Sequence, residues 1–366
     1  MKLILISPNY GAQTESFINE HFLFLKPDFI LTGGYHPVSD ENGDYVNGKV
    51  IRILLKFISY FFIDRQVIFF RMSLFLSLFK FKFHKSVVLI EYGTTAHNTC
   101  SVLNLLGLPF VVHFHGYDAS MISYANAEYY NFVNKSAKGV FVVSKEMERD
   151  LIRLGFNEAD IVYNPYGPRK EFEECNPNFN SKIVFALGRF VDKKAPYNLV
   201  IAFARVLSKV PDAQLIIAGD GPLMNLCKNL ALVLGISDRV SFVGVINLYQ
   251  TKYYMSKSQL FIQHSIRAEN GDKEGMPLSI LEAQLASLPV VATKHAGIVE
   301  IITDGVNGYL VDENDIDSFT KRIADLLVDS DLCRKMGAAA RKNILDNFPL
   351  DRHLNIIAEK LELNAR

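Results

Sequence analysis

Along the chain, short runs of β-branched and aromatic residues alternate with stretches whose apolar positions recur at helical spacing. This is the mark of βαβ units and a parallel sheet. In the first half the strand candidates are "KLILIS", "SVVLIEYG", "FVVHFHG" and "GVFVVS", and each ends in Gly, Ser or a polar residue. Open α/β sheets put their binding loops at such strand ends. The periodicity predicts helices over Thr14–Phe24 and Lys145–Leu154. A stretch rich in Pro, Asn and charge, "YNPYGPRKEFEECNPNFNSK", then reads as a linker. After it the pattern restarts with "KIVFALGRF", "AQLIIAGDG", "VSFVG", "QLFIQHS", "PVVAT" and "GYLV" as strands. Helices are predicted over Tyr197–Val210, over Leu223–Leu234, after Pro277 and to the end of the chain. The expected architecture is α/β, with two Rossmann-like domains over residues 1–170 and 171–345. A closing helix over 346–366 is a candidate to cross back to the first domain. A cleft between two such domains is the default ligand site.

One segment breaks the alternation. Residues 49–85 hold eight cations (Lys49, Arg52, Lys56, Arg65, Arg71, Lys80, Lys82, Lys85) against one acid, Asp64, and are packed with Phe. At helical spacing Ile51, Leu54, Leu55, Ile58, Phe61 and Phe62 fall together, with Arg52, Lys56 and Ser59 opposite. Two readings stand: a basic amphipathic helix lying on an anionic membrane, or a helix packed on its sheet with a solvated basic edge.

Composition narrows the classes. The 366 residues are enough for two cores, 49% are hydrophobic, and the formal net charge is zero, so no polycation points to nucleic acid. The four cysteines, Cys100, Cys175, Cys227 and Cys333, form no C-x-x-C pair, which favours free thiols in a reducing compartment. "MKLILISPNY" reads as a buried first strand rather than a signal segment, and no run of eighteen apolar residues predicts a transmembrane helix.

Candidate chemistry clusters in the second half. In "FALGRFVDKKA", Arg189 and Lys194 follow a strand that ends at Gly188; a guanidinium fork and a compact ammonium there suit a diphosphate. Gly219 and Gly221 of "LIIAGDGPL" are not G-x-G-x-x-G and read as a tight turn with close backbone approach. In "GDKEGMPLSILEAQ", Pro277 fits the first turn of a helix. The backbone N–H groups near Met276, Leu278 and Ser279 would then face an anion. Glu274 in the loop and Glu282 on the helix could accept hydroxyl hydrogen bonds from a ribose or sugar. "DID" at Asp315–Asp317 reads as a helix N-cap rather than a metal site. His113 and His115 share a strand face without a third ligand nearby, and His113 reads as structural. Asp118 either meets an acceptor or closes a turn. His264 and Ser265 either touch a donor or pack a turn, and Arg267 reads as a solvated charge.

The segment "EGMPLSILEAQLASLPVVATKHAGIVEIITDGVNGYLV" resembles the C-terminal signature of the retaining glycosyltransferases of family 4, which have the GT-B fold. "GRFVDKK", "AGDGP" and "FVG" stand in the expected order before it. "QTESFI", "HFHGYD" and "VVSKEM" carry the resemblance in the first half, and "ENGDKEGMP" together with "TESFI" looks most like bacterial exopolysaccharide, colanic acid, capsule or lipopolysaccharide enzymes. The resemblance implies that Arg189 and Lys194 bind the donor diphosphate and that Glu282 binds the ribose. Glu274 would lie against the transferred sugar, with the backbone of Gly275, Met276 and Pro277 at its hydroxyls. His115 would line the cleft beside that sugar, and Gly11 would sit near the phosphates, while Glu15 and Asp118 are acceptor candidates. It also implies metal-independent transfer with retention and no cofactor beyond the nucleotide-sugar substrate, a UDP- or GDP-sugar. The acceptor would be a lipid-linked glycan or polysaccharide, and the enzyme cytoplasmic and peripheral on the inner membrane leaflet. Two details depart: one glycine stands in "PNYGAQTES" where many relatives have two, and "NPYGPR" replaces "NGVD". The rival readings are a non-hydrolysing nucleotide-sugar epimerase of the same fold and a catalytically idle membrane-docked scaffold.

Overall fold

The computed structural model describes residues 1–12, 15–34, 36–121 and 126–363. The chain divides into two units. The first takes Met1–Asn164 and the residues from Leu354 on, and the second takes Pro165–His353.

The first unit is built on a parallel six-stranded sheet. Its strands are β1 (Lys2–Ile6), β2 (Phe29–Leu31), β3 (Ser86–Glu91), β4 (Phe110–His113), β5 (Val140–Val142) and β6 (Ile161–Tyr163), in the order β2-β1-β3-β4-β5-β6. The second sheet is also parallel, with β7 (Ile183–Leu187), β8 (Gln214–Ala218), β9 (Val240–Gly244), β10 (Leu260–Gln263), β11 (Val290–Thr293) and β12 (Gly308–Val311) in the order β12-β11-β10-β7-β8-β9. The ten strands expected from the alternating pattern all form. β2 and β6, three residues each, were too short to read. β6 claims Tyr163 from the expected linker. Beyond it Lys170–Glu174 forms a 3-10 turn with Phe172 fully buried, so this stretch is packed structure rather than a loose connection. The helix Leu350–Lys360 closes the chain, and Ile357 and Leu361 join Leu3, Leu5, Ile18 and Leu89 in the first unit's core.

The strand orders locate the sites. In the second sheet the chain runs outward from β7 to β8 and β9, then restarts at β10 on the other side of β7. Ligands of open α/β sheets bind at such a switch point, beyond the carboxyl ends of the two strands. The segments after β7 and β10 carry Gly188–Lys194 and His264–Glu274. In the first sheet the switch lies between β1 and β3, and Glu91 ends β3.

Residues 49–85 form two helices, Gly48–Ser59 and Arg65–Leu78, followed by a 3-10 turn over Phe79–Phe83. The expected apolar face is not the buried one. Leu55 and Ser59 face inward, whereas Val50, Ile53, Leu54, Phe57 and Phe61 are more than half exposed. Spaced i, i+3, i+4, i+7 and i+11, these five form a stripe on the side away from Leu55 and Ser59. Lys49, Arg52 and Lys56 flank it. Among the described residues no helix is long and apolar enough to cross a membrane.

Candidate active site

The second unit gathers its chemistry around the end of β7. Gly188 donates its N–H to Ala218 O, and the loop beyond turns through a 3-10 segment at Asp192–Lys194 before the helix Pro196–Val206. The neighbouring loop after β8 comes very close. A Cβ on Gly219 (φ +125°) would stand 1.9 Å from Gly188 O, and one on Gly221 2.6 Å from Phe190 O. These glycines therefore serve close approach, as their spacing suggested. A small open pocket lies here, lined by Gly188, Arg189, Lys194, Gln263 and His264 among others.

The two adjacent lysines divide the work. Lys193 is buried. Its Nζ donates to Asp272 Oδ1 at 2.9 Å and Lys273 O at 3.2 Å, tying the β7 loop to the segment before Glu274. Lys194 Nζ lies 3.1 Å from Glu274 Oε1. Burial works against the Glu274 charge, but the cations beside it, Lys194 first and then Lys193, outweigh it and bring the carboxyl down to about 2. Burial likewise lowers Lys194, with Glu274 opposing that shift. Arg189 is exposed at the rim.

The helix Leu278–Leu285 follows directly, with Pro277 at its N-cap rather than inside its first turn. Ile280 and Leu281 donate to Pro277 O, so Leu278 and Ser279 stand where a helix supplies no carbonyl to their N–H groups. The Ser279 hydroxyl is anchored on Gln263 Oε1 at 2.8 Å, and Gly275 O accepts the N–H of Gly297. Met276 and Pro277 are buried in this turn. Glu282 is buried one turn in, and its Oε1 accepts from both Nε (3.0 Å) and Nη2 (2.8 Å) of Arg169. Arg169 was not singled out in the sequence. A ribose held by Glu282 would share the carboxylate with it. His264 is fully buried, and burial lowers it to about 4, so it is neutral. Asp315 caps the helix Ile316–Val328 by accepting from Ser318 N, as expected of "DID".

In the first unit the feature that organises the site is Glu91, which the sequence reading passed over. Its Oε1 meets His21 Nδ1 at 2.8 Å and its Oε2 meets His115 Nε2 at 2.7 Å, with His113 Nδ1 at 3.6 Å. All four side chains are buried. Burial opposes the Glu91 charge, yet His21, with His113 and His115 also against the carboxylate, holds it well below its usual range. Burial brings His113 down to about 3, so it stays neutral, in keeping with a structural role. His21, Glu91 and His113 are metal-ligating types with ligand atoms within 4.8 Å. The 2.7 and 2.8 Å contacts, however, are hydrogen-bond lengths between carboxylate and imidazole. The strand-end position of Glu91 was the signal available in the sequence.

Asp118 does not fit the role of an acceptor ligand. It is fully buried, and its carboxylate accepts N–H groups from Gly93 (2.8 Å), His115 (3.0 Å) and Gly116 (2.9 Å). It closes the turn that carries His115, and burial raises its pKa despite those bonds. Gly11 lies in an exposed turn after β1 with φ +74°. Glu15 precedes the helix Ser16–Leu25 and accepts from Asn9 Nδ2 at 3.0 Å. Gln13 and Thr14 of "QTESFI" lie outside the described residues, so the expected helix start at Thr14 does too.

With this geometry in hand, comparison with known proteins is informative. The model of the group 1 glycosyl transferases matches residues 169–343, the stretch that holds Arg189, Lys194, Glu274 and Glu282. The N-acetyl-alpha-D-glucosaminyl L-malate synthase of Bacillus anthracis is 33% identical over 271 residues, covering 69% of this chain and 68% of that protein. The chain belongs to the group 1 glycosyl transferases. This glycosyltransferase is also similar to a putative colanic acid biosynthesis enzyme, WcaL of Salmonella typhimurium, at 26% identity over 166 residues, 45% of this chain and 41% of that one. It spans less than half the length of several curated relatives that it matches. Its fold is GT-B. The crystal structure of Anabaena HepE in complex with UDP-glucose superposes with a TM-score of 0.79 at 18% identity, covering 99% of both chains.

Proposed function

We propose that this glycosyltransferase moves a sugar from a UDP- or GDP-sugar to a lipid-linked glycan in bacterial surface polysaccharide synthesis. Transfer proceeds with retention and without a metal. The observation that carries the reading is the convergence in the second unit of Arg189, the Lys194–Glu274 pair and the start of the helix Leu278–Leu285. Two cations and a helix N-terminus stabilise a departing diphosphate where its charge develops. The Lys194 ammonium ties up the Glu274 carboxylate, the residue nominated for a nucleophile, which supports a front-face route over a double displacement. Glu274 and the Gly275–Pro277 backbone then serve the transferred sugar, with Glu282 at the ribose. His115 remains the candidate beside the reacting sugar, and Gly11 the candidate near the phosphates.

Association with the anionic inner face of the cytoplasmic membrane belongs to the same proposal. The exposed stripe Val50–Ile53–Leu54–Phe57–Phe61 beside Lys49, Arg52 and Lys56 supports it, because apolar insertion and basic attraction act together at such a surface. The test supplies a panel of UDP- and GDP-sugars with bacterial membrane extract and follows sugar incorporation. Transfer by the wild type, lost in Glu282→Ala and Lys194→Ala, is expected. Unchanged transfer in both folded variants would refute the site.

A further inference from the structure

His295, inside the segment quoted for the family resemblance, and Glu313, just after β12, carry no role so far, yet they are joined to Glu274. The N–H of Glu274 points at His295 Nε2 at 3.1 Å, in a buried contact. A backbone N–H can only donate, so Nε2 must hold a lone pair there. The ring proton then sits on Nδ1, which meets Glu313 Oε1 at 2.6 Å. The other oxygen of Glu313 accepts the N–H of Arg267 at 3.1 Å. One carboxylate after β12 thus fixes the tautomer of His295 and also braces the segment that leads toward Glu274. A second tie, Gly297 N–H to Gly275 O at 3.1 Å, holds the same two loops together.

We infer that His295 and Glu313 are positioning residues that set the Glu274 carboxylate against Lys194 and the bound donor. This rests on the role proposed above for Glu274. Only neutral His295 in the Nδ1–H tautomer makes both bonds. Protonation at Nε2 would set one donor against another and release the Glu274 backbone. The charged and titratable groups around His295 are Glu313, Glu274 and His264, with Lys194 and Lys193 beyond Glu274; its neighbour Lys294 is paired with Asp312.

The test compares His295→Leu, His295→Gln and Glu313→Gln with wild type, following UDP or GDP release from the nucleotide-sugar panel with membrane extract. His295→Leu should lose about 10²-fold in kcat, the scale of a small misplacement at a reacting centre, with KM for the nucleotide sugar nearly unchanged. His295→Gln, whose amide oxygen can accept the Glu274 N–H, should recover most of kcat. Glu313→Gln should fall between, because its amide tolerates either tautomer. Nitrogen-15 spectra of the imidazole in the folded wild type should show the proton on Nδ1. That measurement stands even if a variant fails to fold, and a proton on Nε2 would overturn the inference. Full kcat in folded His295→Leu, with Glu274→Gln inactive, would overturn it while leaving the proposed function intact. A wild type that turns over no nucleotide sugar would instead count against the proposed function.

Discussion

Replacing Lys194 separates its part in catalysis from its part in folding. The Lys194 side chain is 15% exposed and that of Glu274 9%, so Lys194→Met leaves a largely buried carboxylate without its nearest cation. Breaking one side of a buried pair costs about 3–5 kcal/mol, which in a unit of this size lowers the melting temperature by roughly 10 °C. Lys193 remains near Glu274 and puts the expected loss at the lower end. Glu274→Gln removes the stranded charge, so the double variant should regain most of that stability. Its activity should not return, because the diphosphate still lacks a preorganised cation, a loss of about 10²–10³ in turnover. Thermal melts and nucleotide-release kinetics on the four proteins complete the cycle. Additive stability losses would refute the buried pair, and activity that returns together with stability would refute the catalytic role.

Further outcomes follow from other contacts. Glu274 has its carboxyl brought from the ordinary 4.5 to about 2 in the folded state, so its stabilising contribution is complete above about pH 4.5. That contribution, roughly 3 kcal/mol, should drain away as the pH falls toward 2, and acid titration of Glu274→Gln should lack this component; identical acid profiles would contradict the depressed carboxyl. Arg169→Ala should lower stability by about 2 kcal/mol and raise the KM for nucleotide sugar, with Arg169→Lys restoring only part because it has no fork for Glu282. Neutralising Arg52, Lys56, Lys80 and Lys82 together should weaken pelleting with anionic vesicles by about 10³-fold, at about 1 kcal/mol per cation. Phe57→Ser should weaken it independently of salt, and no change in either variant would make the segment an ordinary surface.

The strands were legible because buried parallel strands write themselves as unbroken apolar runs, and ten of the twelve stood out. β2 and β6 have three residues each, and only pairing with β1 and β5 makes them strands. The helix Gly48–Ser59 was legible as amphipathic, but periodicity cannot say which side the fold covers. Ser59 turned inward and Phe57 outward because hydrogen bonds from Asn47 to Ser73 and Ser77 fix how this helix pair meets. Arg189, Lys194, Glu274 and Glu282 stood out because they crowd two short motifs. The residues that hold them did not: Arg169 is 113 positions from Glu282, and Glu313 is 18 from His295. Such partners become visible only once β7, β10 and β12 bring their loops together. For Asp118 the sequence leaves an acceptor ligand and a turn closure both open. An acid next to a glycine turn looks like a ligand, and only its three backbone N–H partners show that it closes the turn.

Whether the second unit holds a nucleotide diphosphate on Arg189 and Lys194 is decided by calorimetry with UDP, GDP, UMP and GMP. At least one diphosphate should bind more tightly than its monophosphate, and Arg189→Ala and Lys194→Met should erase that difference while leaving monophosphate binding nearly unchanged. Equal affinity for mono- and diphosphates in the wild type, or a difference that survives both substitutions, would contradict the account.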